Sequence, residues 1–237
     1  MMNEKSNIES AKTLTRKERE RLARRREIVE AARAVFASRG FAEATLEEIA
    51  ERAEYGKGTL YGYFQNKEEL FEAVISDSLD RLLELTHSCC SGSGESVVEK
   101  YQYFARTLLR YLFENQELFR LILREMHGSM RHPRASANRL PEIIPVLEQP
   151  LRVALSETRG IDTKRIAFLF LVMLLTLFQS ALPSSSMASG CVEGQESFPV
   201  FGGTDEAIEH ILRLLDLTFF HGIRVLIEGT AENPMHL

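Results

Sequence analysis

The chain has 237 residues, of which 44% are hydrophobic and 27% charged, and its formal net charge is −5. This composition is typical of a soluble globular protein with a buried core, and it excludes a collagen-like or low-complexity chain. The net acidic charge argues against bulk attraction of nucleic acid. Because the polar N-terminal residues do not resemble a signal peptide, we expect a cytoplasmic protein.

Basic residues are concentrated near the N-terminus. Between Lys12 and Arg26 the sequence has eight Lys or Arg and two Glu, a local charge of +6. This cluster predicts a basic, partly disordered arm over residues 1–23 that can lie near phosphates. The alternative is a solvated helix face, because pairs such as Arg16 and Glu20 are i,i+4 neighbours that can neutralise each other.

The first predicted helices follow this arm. Apolar residues recur at helical spacing over residues 28–36, and Gly40 follows at the position of a helix-terminating glycine. Thr45 and Glu48 form an S/T-x-x-E capping box, which predicts the start of the next helix. Asn66 is the predicted N-cap of a longer helix.

The stretch "AEYGKGTLYGYF", residues 53–64, lies between these helices and contains three glycines. Each glycine in a helix interior costs about 1 kcal/mol relative to alanine. At 100° per residue, Leu60 and Phe64 point inward, whereas Gly58 and Gly62 fall on the outer face. An outer face without side chains can approach another surface closely. The stretch therefore predicts the second helix of a helix-turn-helix, which enters the DNA major groove. The alternative is that the glycines serve only the turn and the tyrosines only rim packing.

The remainder of the chain also predicts helices, after a connector over residues 88–96. Residues 135–157 contain three prolines, so we expect a kinked or split helix there. Residues 183–203 are predicted to form a long loop. Because no period-two strand pattern occurs, the predicted class is all-α.

The segment 166–178 is the most apolar part of the sequence, and its thirteen residues are too few for a membrane span of ~20. Its apolar side chains surround the helix, so the whole circumference must be covered. Packing of helices 162–182 and 204–228 of two subunits would provide that cover, and we predict this dimer interface. The alternative is a fully buried central helix within one subunit.

Residues 24–75 resemble the DNA-binding domain of the TetR family of bacterial repressors. The segments that carry the resemblance are "REIVEAARAVFASRGFAEATLEEIAERA" and "KGTLYGYFQNKEELFEAVI". The resemblance implies about nine helices: a three-helix helix-turn-helix domain over 24–84 (motif 47–66, connecting helix 66–87) and a regulatory and dimerisation domain over 88–237. It also implies a ligand-responsive transcriptional repressor that binds a near-palindromic double-stranded DNA operator as a homodimer. The alternative is a helical scaffold that uses the tyrosine-edged face for a protein partner and has no DNA role.

The resemblance also implies roles for individual residues, carried over by position. Thr45 would contact a phosphate, and Arg24, Arg25 and Arg26 would reach flanking phosphates or the minor groove. The groove-facing residues and those on the phosphate backbone would be Lys57, Gly58, Thr59, Tyr61, Tyr63 and Lys67. The family usually has Gly-Val-Ser in the turn, whereas residues 54–56 here read Glu-Tyr-Gly, so the second helix lacks a serine cap.

A ligand cavity between the C-terminal helices is a further implication of the resemblance. A lining of aromatic residues and methionine suits a small apolar effector. The candidate lining residues are Phe104, Leu108, Leu123, Met126, Phe168, Met173 and Phe178. For any one of them, core packing is the alternative.

No catalytic or metal-binding motif stands out in the sequence. We find no Gly-rich phosphate loop, nucleophile elbow or HExxH, and we predict no enzymatic activity, cofactor, metal site or membrane association. The three cysteines, two of them adjacent, match neither a disulfide framework nor a metal-binding spacing. Whether Cys89 and Cys90 sense redox state stays open at this point.

Overall fold

The computed structural model describes residues 15–91, 96–127, 140–156, 160–182 and 201–232. All regular structure in these ranges is helical, which confirms the predicted all-α class. The helices are α1 (Arg16–Glu43), α2 (Leu46–Arg52), α3 (Lys57–Tyr61), α4 (Lys67–Cys90), α5 (Val97–Glu114), α6 (Gln116–His127), α7 (Leu140–Ala154), α8 (Thr163–Ala181), α9 (Thr204–Leu215) and α10 (His221–Glu232). A π-helical turn, Asp216–Phe220, joins α9 directly to α10, so these two form one continuous helix.

The chain divides into two compact units, Met1–Val74 and Ile75–Leu237. The boundary lies inside α4, which begins in the first unit and ends in the second. The sequence-based boundary, at residues 84–88, lies further along the same helix.

Helix α1 begins earlier than predicted, at Arg16. The Thr15 side chain accepts a hydrogen bond from the backbone amide of Glu18, whose carboxylate accepts from Thr15 N at 2.8 Å. The Arg16 Nε atom also lies 2.8 Å from the Glu20 carboxylate. Because this cap and the i,i+4 pair stabilise the first turns, the predicted arm is helical from residue 16 onward. Residues 1–14 of that arm lie outside the described part of the chain.

At its other end, α1 is interrupted at the predicted glycine. Gly40 has φ 78° and ψ 171°, a backbone conformation that side-chain-bearing residues rarely adopt. Residues 41–43 form one more helical turn before α2 begins.

The first unit has a small apolar core. Phe36, Phe41 and Phe71 form an aromatic cluster, with ring centroids 5.1 Å apart for Phe36 and Phe71 and 5.0 Å for Phe41 and Phe71. Other side chains of this core that are almost completely buried are Ile28, Ala32, Ile49, Leu60, Phe64, Leu70 and Val74.

The core of the second unit is built around α5. Tyr101 is buried and donates a hydrogen bond to the carbonyl of Leu147 in α7. Burial raises the pKa of the Tyr101 phenol, so the phenol stays protonated. The Phe170 ring of α8 packs 4.7 Å from the Tyr101 ring, between centroids. These contacts join α5, α7 and α8 around one interior.

Helix α7 continues through Pro145 and Pro150, so of the predicted kink or split, the split does not occur within Leu140–Ala154. Each proline removes one backbone hydrogen bond from the helix. The apolar face of α7, with Ile143 and Leu147 completely buried, packs against α5 and α8. This packing holds the helix together despite the lost hydrogen bonds.

Within the described residues, α8 is the one helix that is long and apolar enough to cross a membrane by length and composition, a test that a core helix of a soluble protein also passes. One face of α8 is buried, including Phe170 and Leu174. Its opposite face is exposed: Phe168 is 53% and Leu169 61% accessible. The alternative of a fully buried central helix is therefore wrong for the single subunit.

A cavity of about 1010 Å³ lies in the second unit, where the end of α4 and the start of α5 approach α7 and α10. Val97, Val98 and Val153 contribute apolar walls, and Lys100 and Arg224 contribute basic side chains. Asp216 in the π-helical turn holds the Arg224 guanidinium at 2.8 Å.

Of the predicted pocket residues whose side chains the structure describes, none lines this cavity. Phe104, Leu108 and Phe178 are buried in the core, and Met173 packs partly against it. Phe168 is on the exposed face of α8, opposite the face that includes Phe170 and Leu174. The side chains of Leu123 and Met126 lie outside the described part of the chain.

Candidate nucleic-acid interface

Helix α2 begins at the predicted capping box. The Thr45 hydroxyl oxygen accepts from the Glu48 amide at 3.2 Å, and the Glu48 carboxylate accepts from the Thr45 amide at 3.3 Å. The Thr45 side chain is exposed, and a hydroxyl that accepts one bond can still donate another. Thr45 therefore presents a donor at the start of α2.

The turn between α2 and α3 is attached to α1. Glu54 has φ 58°, the left-handed conformation that a non-glycine residue adopts only under local constraint. The Tyr55 hydroxyl donates a hydrogen bond to the Glu27 carboxylate of α1, and this bond raises the pKa of the Tyr55 phenol. The tyrosine in this family-atypical turn is thus a structural link to α1.

The orientation of α3 agrees with the sequence prediction. Leu60 and Phe64 are buried and anchor the helix from behind. On the outer face Tyr61 is 51% accessible, and a Cβ added at Gly58 would meet nothing within 4 Å. Gly56 provides no side-chain cap, as the sequence predicted. The outer face consequently has few side-chain atoms, and its one large amphipathic side chain is that of Tyr61.

Two further predicted residues, Thr59 and Tyr63, are half-buried beside this face. The Arg21 guanidinium of α1 lies 6.0 Å from the centre of the Tyr63 ring. Tyr63 thus lies between α3 and the basic N-terminal part of α1.

Lys57 is not an isolated cation. Its Nζ atom lies 2.9 Å from Glu47 Oε1 of α2, and both side chains are about half exposed. The hydrogen bond from Lys57 lowers the pKa of the Glu47 carboxyl, which is therefore ionised at neutral pH. Sequence analysis missed Glu47, because no helical spacing rule connects residues in two different helices.

Lys67 is also engaged within the first unit. Its Nζ atom donates to the carbonyl oxygens of Ala42 and Ala44, at 3.0 Å each. The same ammonium group lies 4.7 Å from the centre of the Phe41 ring. The residue that the resemblance assigned to the phosphate backbone therefore has three partners in the connection between α1 and α2.

The arginines of the N-terminal part of α1 are exposed, and several of them approach the helix-turn-helix. Arg25 lies 5.1 Å from the centre of the Phe64 ring. Arg24 is close enough to Tyr55 to act on its pKa electrostatically, and Arg26 is exposed on the same helix. The helical part of the predicted arm thus adds positive charge beside α3.

The fold and this surface define the protein as a helix-turn-helix protein with a separate helical C-terminal unit. Residues 28–74 match the family described as "Bacterial regulatory proteins, tetR family". Residues 28–74, about a fifth of the chain, therefore form a domain of the TetR type.

Known relatives agree with this assignment. The chain is 31% identical over 100 residues to YdgC, an uncharacterized HTH-type transcriptional regulator of Bacillus subtilis (strain 168), a match to 41% of this chain and 51% of that protein. It is 40% identical over 60 residues to the HTH-type transcriptional repressor KstR2 of Mycolicibacterium smegmatis, a match to 25% of this chain and 29% of KstR2. The chain thus spans about half the length of the first relative and less of the second.

Solved structures extend the similarity to the whole fold. A transcriptional regulator of the TetR/AcrR family from Thermobifida fusca YX-ER1 superposes with a TM-score of 0.60 at 24% identity, over 83% of this chain and 98% of that one. At this identity the comparison shows the fold alone, and it includes the C-terminal helices that the family model does not reach.

Proposed function

We propose that this protein is a DNA-binding transcriptional repressor that binds a near-palindromic operator as a homodimer and releases or holds it in response to a small effector. The observation that carries the DNA-binding proposal is the outer face of α3, where Gly58 is open and Tyr61 is exposed while Leu60 and Phe64 hold the helix from behind. A glycine-rich face lets the helix backbone approach the floor of a groove.

Donors and positive charge around α3 suit a phosphate backbone. The Tyr61 and Thr45 hydroxyls can donate to phosphate oxygens, and Lys57 and Arg25 add cations. From Arg16 to Glu27 the exposed start of α1 has seven Lys or Arg against three Glu. This local excess counters the acidic net charge of the whole chain and favours DNA at this end of the first unit.

Dimerisation is supported by the exposed apolar side chains of α8 and of the helix formed by α9 and α10. Phe168, Leu169 and Val172 on α8 are 42–61% exposed, and Leu217 and Val225 are more than half exposed. Apolar side chains exposed in this number on neighbouring helices are typical of a protein–protein interface. A second copy would cover them by packing four helices together, and its two-fold symmetry would match a near-palindromic operator.

The effector proposal is supported by the cavity in the second unit. Its volume of about 1010 Å³ is within the range of small-molecule sites. The valine walls suit an apolar ligand, and Lys100 gives the lining a basic side chain that suits an acidic group on that ligand. The site differs from the one that the sequence indicated, because the predicted lining residues whose side chains the structure describes lie in the core or on the surface.

The response to the effector would be a shift between two states. Because α4 is one helix that begins in the first unit and ends in the second, a ligand in the second unit can bias the spacing of the two α3 helices in a dimer. The shift can be no larger than the difference in the affinity of the ligand for the two states.

The experiment that tests DNA binding is a gel shift with an inverted repeat taken from the DNA upstream of the gene. Tyr61→Ala is expected to weaken binding while the protein stays a dimer. Tyr103→Ala is the matched control, because Tyr103 is 58% exposed and belongs to α5, a helix of the second unit. Equal losses in both variants, or no operator bound by the wild type, would favour the scaffold alternative.

A further inference from the structure

Lys67 is the first residue of α4, and its side chain reaches back to the connection between α1 and α2. Carbonyl groups at the end of a helix lack partners within that helix. Gly40 interrupts α1 just before this point, so the carbonyls of Ala42 and Ala44 depend on partners outside the helix. The Lys67 ammonium group donates to both, at 3.0 Å.

Aromatic packing fixes the Lys67 side chain in this arrangement. The ammonium group lies over the Phe41 ring, and Phe41 packs against Phe71, one turn further along α4 than Lys67. Ala44 itself is only 2% exposed. The first two turns of α4 therefore hold the connection through two side chains, Lys67 and Phe71.

We propose that Lys67 is a positioning residue, which sets the start of α2 and the direction of the Thr45 hydroxyl rather than neutralising a phosphate. The proposal rests on the proposed DNA-binding function. Two of the three ammonium protons are used within the protein. Ala44 directly precedes Thr45, the N-cap of α2, so a displaced Ala44 carbonyl changes the backbone that aims Thr45.

Lys57 provides the contrast within the same unit. Its one described ion-pair partner is the carboxylate of Glu47, and its side chain is 63% exposed. A salt bridge at such exposure is weak and exchanges readily with phosphate. The two lysines are therefore expected to have different effects. Lys67 orders the α1–α2 connection, whereas Lys57 contributes to the salt dependence of DNA binding.

The test uses the full chain with Lys67→Met, which keeps the apolar stem and removes the donors, and Lys57→Met as the matched control. The first measurement is amide hydrogen exchange without DNA. We expect Lys67→Met to speed exchange at Thr45, Glu48 and Ile49 at least fivefold, and Lys57→Met to leave it unchanged. Lys67→Arg, which restores donors, is expected to slow exchange again.

The second measurement is operator affinity as a function of salt concentration. A lysine that neutralises one phosphate contributes about 0.9 to the slope of log K against log salt. We expect Lys67→Met to reduce operator affinity about tenfold, because hydrogen bonds from a charged group are lost. The slope of log K against log salt is expected to stay unchanged. Lys57→Met is expected to reduce the slope by about one.

A slope reduced by about one in Lys67→Met, with wild-type exchange at residues 45–49, would overturn the proposal. If the wild type binds no operator, the proposed function fails, and the exchange measurement alone still decides whether Lys67 orders the connection. If Lys67→Met does not fold, Lys67→Gln, which removes the charge and has a shorter side chain, takes its place in both measurements.

Discussion

Lys57 and Glu47 form an ion pair that links the two helices of the helix-turn-helix, with Nζ 2.9 Å from Oε1. The residue at the start of α3 that best suits a phosphate is thus already paired with a carboxylate of α2. A DNA phosphate that pairs with Lys57 must displace the Glu47 carboxylate. That carboxylate then lies close to the phosphates of the DNA. Glu47 is expected to oppose DNA binding in both respects.

Replacing Glu47 by Gln is therefore expected to raise operator affinity by a few-fold at most, because an exposed ion pair is weak. The measurement is a fluorescence anisotropy titration of a labelled operator. Glu68→Gln, an exposed glutamate of α4, makes the same change in net charge. An equal gain in both variants would mean that only net charge matters and that the ion pair has no specific effect.

Gly58 allows fold stability and DNA binding to be separated. A methyl group there has open space, and alanine favours helix over glycine, so Gly58→Ala is expected to raise the free energy of unfolding by about 0.5 kcal/mol. The same methyl group would separate α3 from the groove, so operator affinity is expected to fall, and to fall further in Gly58→Leu. Thermal unfolding by circular dichroism and a gel shift measure the two effects. Unchanged operator affinity in Gly58→Leu would remove the argument that this face touches DNA.

The proposed dimer interface is tested by a charge on the exposed face of α8. Leu169 is 61% exposed in the single subunit, and Leu169→Glu is expected to give a monomer because burial of an unpaired carboxylate is costly. Size-exclusion chromatography with light scattering measures the mass. Tyr103→Glu, on α5, introduces the same charge and should remain a dimer. A dimeric Leu169→Glu protein would place the interface elsewhere.

The adjacent cysteines are expected to react slowly. Cys89 and Cys90 are both buried, and burial raises the pKa of the Cys90 thiol to about 12. The thiolate is the reactive form, and at pH 8 almost none is present at such a site. In a Cys191→Ser variant, a thiol reagent should label the native protein at least tenfold more slowly than the denatured protein. Rapid labelling of the folded chain would reopen the redox question that the sequence left unanswered.

Local sequence signals predicted the framework of the first unit well. The capping box of Thr45, the terminating Gly40 and the inward side of Leu60 each depend on residues within a few positions of one another. Such signals also explain the error at residue 16, where a second capping box, at Thr15 and Glu18, was not recognised within the basic cluster.

The contacts that decide the candidate site connect residues far apart in the sequence. Tyr55 and Glu27 are 28 residues apart, and Lys67 is 23 residues from Ala44. Such pairs depend on how helices pack, which periodicity does not specify. For the same reason the sequence identified α8 as apolar on all sides, but not which of its side chains would stay exposed.

The π-helical turn at Asp216–Phe220 has a consequence for the end of the chain. From Ile208 to Ile211 and Leu215 the buried positions of this continuous helix are three and four residues apart, and the next, Phe220, comes five residues later. One extra residue in a single turn rotates everything after it by about 100° around the helix axis. Without that rotational offset, Phe220 and Ile223 would leave the interior. Deleting a single residue between 216 and 220 would thus rotate α10 by about 100° and turn Ile223 away from the interior.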